Sequence, residues 1–117
     1  MINLDKIPNE IIKKRDAIEC NFIFSLYKDP ALIYDYKNIV NGVDIITEDG
    51  MFYYGLALEL HKSNYLAFDN ISTFTFLSDK EVLKDGFERR GGYKTIQELV
   101  SLINTDNIDA YYDELVY

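Results

Sequence analysis

A chain of 117 residues fits one domain, and with 48% apolar residues it can bury a single continuous core. Twenty acidic against twelve basic side chains give a formal charge of -8, which repels phosphate backbones and argues against direct, sequence-independent nucleic-acid binding. The single cysteine, Cys20, excludes an intrachain disulfide and a multi-thiolate metal site, and the single histidine, His61, excludes a two-histidine zinc site. Ten Tyr and seven Phe without Trp point to a core filled by rings. The N-terminus lacks the apolar centre of a signal peptide, and no stretch has the length of a membrane-spanning helix, so a soluble cytoplasmic protein is expected.

Residues 1 to 8 have little periodicity and end at Pro8, which reads as a surface arm. Asn9 to Tyr27 is a helical stretch, with Ile11, Ile12, Ile18, Phe22, Ile23 and Leu26 apolar and Lys13, Lys14 and Arg15 forming a solvated basic turn. Asp16 followed by Glu19 has the spacing of a capping box, which would start that helix later. Cys20 lies in the apolar run and is expected to be a buried, inert thiol. Asp29-Pro30 then opens a short helix through Ala31, Ile33, Tyr34 and Tyr36, ending before an Asn41-Gly42 turn. Thr47 caps the next helix, with Glu48 and Asp49 where the helix dipole favours acids; it runs through Phe52, Tyr53, Leu56, Leu58 and Leu60 to Ser63, stops near Asn64, and is expected to be central.

Ile71-Ser72-Thr73-Phe74-Thr75-Phe76 alternates and is β-branched, locally a strand signal. A lone strand has no pairing partner in an otherwise helical chain, so a short helix capped by Asp69 is expected instead. Ser78 and Glu81 have capping-box spacing for a brief helix that Gly86 would end. Gly91-Gly92 breaks the chain, after which Ile96, Leu99, Val100 and Ile103 form one buried stripe. Asn104 and Thr105 supply a polar break, and Ile108, Tyr111, Tyr112 and Leu115 repeat the spacing in a last helix expected to leave the body. The whole reads as one all-α domain over residues 1 to 117, a small orthogonal bundle of about six to seven short helices.

Candidate chemistry is sparse. The segment from Gly86 to Thr95 looks like a phosphate-binding loop, but its lysine does not directly follow the second glycine, because Gly92 and Tyr93 intervene. It also follows the charged, helical Glu81 to Asp85 rather than a buried parallel strand. His61 sits near a helix C-terminus, where such a side chain is ordinarily structural. Asp106, Asp109, Asp113 and Glu114 lie on one side of the last helix and read as a solvated face, since no second helix offers matching ligands. Arg89 and Arg90 are too few to make a nucleic-acid footprint in an acidic domain. No catalytic, cofactor-binding or metal-binding residue is expected.

The order of these signals resembles the N-terminal domain of bacterial and phage replicative DNA helicases of the DnaB type. The matching residues are Ile7-Pro8, Ala17 and Glu19, Asp29-Pro30, Glu48-Asp49, Asp69, Gly91-Gly92 with Leu99, and Asn107-Ile108-Asp109-Ala110-Tyr111. Departures are Phe24 for a small residue, Gly50-Met51 where an aromatic is usual after the acidic pair, a third helix about one turn shorter, and Asn104 where proline is common. The resemblance implies a helical head that leads into a helical hairpin beginning at residues 105 to 117, and that assembles as dimers into a collar on a hexameric ring. ATP and Mg would belong to a separate motor domain, absent from this sequence, so the chain would be a non-catalytic fragment without a cofactor of its own. Its expected partners are itself, a primase or a helicase loader, and its expected interface is the face Ile108, Tyr111, Tyr112 and Leu115. The alternative is a stand-alone phage regulator, or a primase-type helicase-interacting domain, that binds the helicase.

Overall fold

The computed structural model describes residues 9–36 and 38–116. The surface arm expected over residues 1 to 8 lies outside them. The first helix, α1 (Asn9–Lys28), runs for 20 residues without proline or glycine to interrupt it. Phe22, Ile23, Phe24, Ser25, Leu26 and Tyr27 are all buried in succession, which only a helix enclosed on every side can achieve. It packs against the second, fifth and sixth α-helices and a 3-10 helix, Pro30–Asp35. The hub of the fold is therefore α1, not the helix after Thr47. Periodicity finds helices with one wet face; a helix that is apolar all round gives a weaker stripe. Because α1 begins at Asn9, Asp16 and Glu19 lie within it and form no capping box.

Asp29 precedes Pro30 as expected but makes no side-chain cap, and Ile33 anchors the short 3-10 segment by burial. At the Asn41-Gly42 turn, Gly42 takes φ 92° and its N–H donates to Ile45 O at 2.8 Å, leaving Ile45 fully buried. Helix α2 (Glu48–Lys62) follows, with Thr47 Oγ1 accepting from Gly50 N–H at 3.1 Å. Asn64, at φ 70°, takes the left-handed conformation that ends it.

The strand-like segment is helical: α3 (Asn70–Leu77) starts where Asp69 Oδ1 accepts from Ser72 N–H at 2.7 Å. Its buried residues, Thr73, Phe76 and Leu77, follow helical spacing and leave Ile71 and Phe74 in solvent. Helix α4 (Glu81–Arg89) departs from expectation at both ends. The Ser78 hydroxyl donates back to Thr75 O at 2.7 Å and does not cap α4. Gly86 lies inside the helix, where a Cβ would approach the Phe52 ring to 3.0 Å, so its role is close packing.

The break comes at Gly91 and Gly92, with φ of 100° and 64°. Helix α5 (Tyr93–Leu102) then buries Ile96 and half-buries Leu99 and Val100, and Lys28 Nζ ties its end to α1 by donating to Ile103 O at 2.7 Å. Asn104 Oδ1 accepts from Asp106 N–H at 2.9 Å, opening a 3-10 turn that passes into α6 (Ile108–Val116). This last helix does not leave the body. It lies along α1, with Ile108 and Leu115 buried. Among the described residues there is no strand, only one isolated bridge between Asn41 and Ile45, and the fold is a small all-α bundle.

Candidate functional site

Two arginines organise the region where α1, α2 and α5 converge. On α1, Arg15 and Glu19 are one helical turn apart, their Nε and Oε2 atoms 3.5 Å from each other. Glu19 is 1% exposed, and its carboxylate accepts from Ile46 N–H at 2.8 Å, Thr47 N–H at 3.3 Å and Thr47 Oγ1 at 2.6 Å. These donors lead into the α2 N-terminus, where a negative charge is favoured. A Cβ on Gly50 would collide with Glu19 Oε1 and Thr47 Oγ1. Gly50, which stands where the resemblance expects an aromatic, thus makes room for the buried carboxylate. Arg15 extends the network by donating to the carbonyls of Asp44, Glu114 and Leu115, fixing the 40s loop and the end of α6 against α1.

Arg90, at the end of α4, holds the other side. Its Nε donates to Asp49 Oδ1 at 2.9 Å, Nη2 lies 3.7 Å from Glu48 Oε1, Nη1 donates to Gly86 O at 3.0 Å, and the guanidinium sits 4.2 Å above the Phe52 ring. The acidic pair read as a helix-dipole feature is therefore also the clamp between α2 and α4.

Beside Glu19 and Arg90 lies a cavity of about 470 Å³, lined by Ile23 and Phe24 of α1, Tyr53 of α2 and Leu99 of α5, with Asp16, Cys20, Asp49, Arg89 and Thr95 around it. Tyr53 is 4% exposed and its hydroxyl is buried with no hydrogen-bond partner. Burial, aided by the Asp49 charge and opposed by Arg90, pushes its pKa up to about 12, so it remains a neutral hydroxyl. Burial, with the nearby Asp16 charge, also raises the Cys20 thiol, making it a poor nucleophile at neutral pH.

The residues singled out in the sequence mostly fall elsewhere. Ile108 and Leu115 are buried in this chain's own core, and Tyr111 and Tyr112 pack half-buried against it. The expected interface on α6 is thus turned inward. Its stripe reads the same whether its partner is α1 or another protein, because periodicity records only that one face is apolar. His61 ends α2 as expected, its Nε2 buried and its ring edge-on to Tyr34 at 4.7 Å. Asp106, Asp109, Asp113 and Glu114 are exposed, with Asp109 accepting from the Tyr36 hydroxyl and Glu114 lying 3.9 Å from Lys14. Among the described residues no group of three or more His, Cys, Asp or Glu side chains is arranged to hold a metal ion.

The glycines of the apparent phosphate loop turn inward too. Gly91 N–H donates to Glu88 O and Gly92 N–H to Phe87 O, so they cap α4 and are not presented to a phosphate. Arg15, Gly50 and Tyr53 were not legible as members of one site. The i, i+4 spacing of Arg15 and Glu19 was the one signal, and it cannot tell a surface pair from a buried one.

Searched against protein-family models, curated proteins and solved structures, the chain finds no match in any of the three. Fold and site together define a class, a small acidic all-α domain with an Arg15-Glu19 network centred on a buried carboxylate and a cavity of about 470 Å³ beside it. Among the described residues no helix is long and apolar enough to cross a membrane.

Proposed function

We propose that this chain is a non-catalytic assembly domain that docks other proteins, of the kind that heads a DnaB-type replicative helicase. The observation that carries the reading is exposed apolar surface on neighbouring elements: Leu66 before α3, Ile71 and Phe74 on α3, and Val82 on α4 are 65 to 87% exposed. Large side chains left in solvent mark contact surfaces when they cluster. Ile71 and Phe74, one turn apart, form one face of α3. The net charge of -8 favours a protein over nucleic acid at this surface. With Ile108 and Leu115 buried, the docking face moves from α6 to α3 and α4. Its partners in this reading are further copies of the chain, a primase or a helicase loader, and ATP and Mg remain with a separate motor.

Light scattering across a concentration series tests the proposal. The expected result is a mass above that of the monomer, returning to the monomer value in the double variant Ile71→Ser, Phe74→Ser. A wild-type protein that stays monomeric, and binds neither primase nor loader from its own replication system, defeats it.

A further inference from the structure

We infer that the face formed by α3 and α4 takes a short amphipathic helix of a partner protein, which sets aliphatic side chains on Ile71 and Phe74 and Lys or Arg side chains against the carboxylates around them. The inference rests on the assembly reading and names the kind of segment by which a partner docks.

Two helices wall the surface. Asn70, Phe74 and Leu77, at i, i+4 and i+7 along α3, and Lys84, Phe87 and Glu88 of α4 line a groove of about 80 Å³, together with Gly92 and Tyr93. Leu77 and Phe87 are 2% and 5% exposed and offer little surface, so contact falls on Phe74, 65% exposed, and on Ile71 one turn before it. A furrow between two helices receives the ridge of a third. Among the described residues no strand presents an edge, so an extended peptide has no sheet to join. With eight residues α3 is about 12 Å long, enough to meet about two turns of the incoming helix.

Charge selects the partner. Glu81, Lys84 and Glu88 share one stripe of α4, the two carboxylates exposed and Lys84 half-buried with its Nζ 5.8 Å from the centre of the Phe74 ring. Asp69, exposed at the start of α3, stands near Tyr93, whose phenol is raised first by burial and then by this charge. The remaining bases nearby have acids of their own: Lys80 pairs with Asp79 at 2.9 Å, Arg89 lies 4.0 Å from Asp85, and Arg90 is turned to Glu48 and Asp49 of α2. Asp69, Glu81 and Glu88 thus outnumber Lys84 around the apolar pair, which favours a basic segment and repels an acidic one.

A peptide of about 14 residues, leucine and lysine at helical spacing, tests this when titrated into the full chain under protein-observed NMR. Saturable binding is expected, with a dissociation constant of about 10–100 µM at low salt, and with amide shifts centred on Ile71, Phe74 and Glu88. A scrambled peptide of the same composition, and one with glutamate in place of lysine, should each bind at least about tenfold more weakly. Phe74→Ser should weaken the basic peptide about tenfold while helical circular dichroism is kept, because the ring is mostly in solvent. Glu88→Gln should weaken it about two- to threefold. No saturation below about 1 mM, equal binding of the scrambled peptide, tighter binding of the acidic one, unchanged affinity in Phe74→Ser, or shifts centred on Asp106, Asp109 and Asp113 would each overturn the inference. A light-scattering mass that stays above that of one chain at saturating peptide makes a second copy the occupant of the face, which overturns the inference and leaves the assembly reading standing.

Discussion

Helices α1 and α3 meet the solvent in opposite ways. Six consecutive residues of α1, Phe22 to Tyr27, are buried, and its charged residues Arg15 and Glu19 are bound into a network that reaches α2 and α6. Helix α3, with eight residues, buries Thr73, Phe76 and Leu77 and leaves Ile71 79% and Phe74 65% exposed. Similar apolar residues thus serve cohesion in one helix and surface in the other. The difference is one of neighbours: α1 is enclosed by three helices and a 3-10 segment, whereas α3 packs chiefly beside α4.

The sharpest way to break this contrast is at Glu19. Glu19→Ala leaves the N–H groups of Ile46 and Thr47 without their acceptor and Arg15 without its counter-charge, and should cost about 3–5 kcal/mol by urea unfolding. Retention of full stability would show that the network does not hold α1 to α2. Next comes a matched pair. Leu26→Ala, at a position 1% exposed, should cost about 2–5 kcal/mol, while Phe74→Ala should stay within about 0.5 kcal/mol. Equal losses would erase the distinction between core and surface helix.

Alkaline titration probes the ring-filled core. Burial raises Tyr53 and Tyr54 to about 12, and it also raises Tyr27 well above the ordinary 10. The unfolded chain therefore releases these protons first, so the stabilisation is complete below pH 10 and is lost as pH rises towards 12. Tyrosinate absorbance should rise together with the loss of helical circular dichroism; ionisation of these rings in a folded protein would contradict it.

The smallest effect belongs to α3. The backbone N–H of Ser72 holds the Asp69 carboxyl below its ordinary 3.8, so its contribution is present above that pH and fades as pH falls through the lower folded value. Asp69→Asn keeps a capping group without the titration, so any stability gap between wild type and variant at pH 6 should narrow by pH 2.5. A gap that stays constant would mean that charge plays no part in the cap.

Much of the fold was legible because its signals are local. Thr47 and Asp69 act as caps, Asn64 and the Gly91-Gly92 pair take left-handed backbone, and Ile96 and Ile103 face inward. At residues 71 to 76 the local signal favoured a strand, and the absence of a pairing partner outweighed it. Gly86 misled for the opposite reason: glycine marks both helix ends and close packing, and only the Phe52 ring beside it distinguishes them. The candidate site was less legible. Glu19 and Asp49 stood out individually, but Arg15, Gly50 and Tyr53 join them only through contacts among distant parts of the chain.

By itself the sequence determined that this protein is helical and acidic and where most of its helices begin and end, because capping, backbone conformation and periodicity act within a few residues. Tertiary structure alone decided which helix is enclosed, that α6 lies against α1, and which rings remain in water. Burial is a property of pairs of surfaces, and a stripe of apolar side chains carries no record of the surface that will cover it.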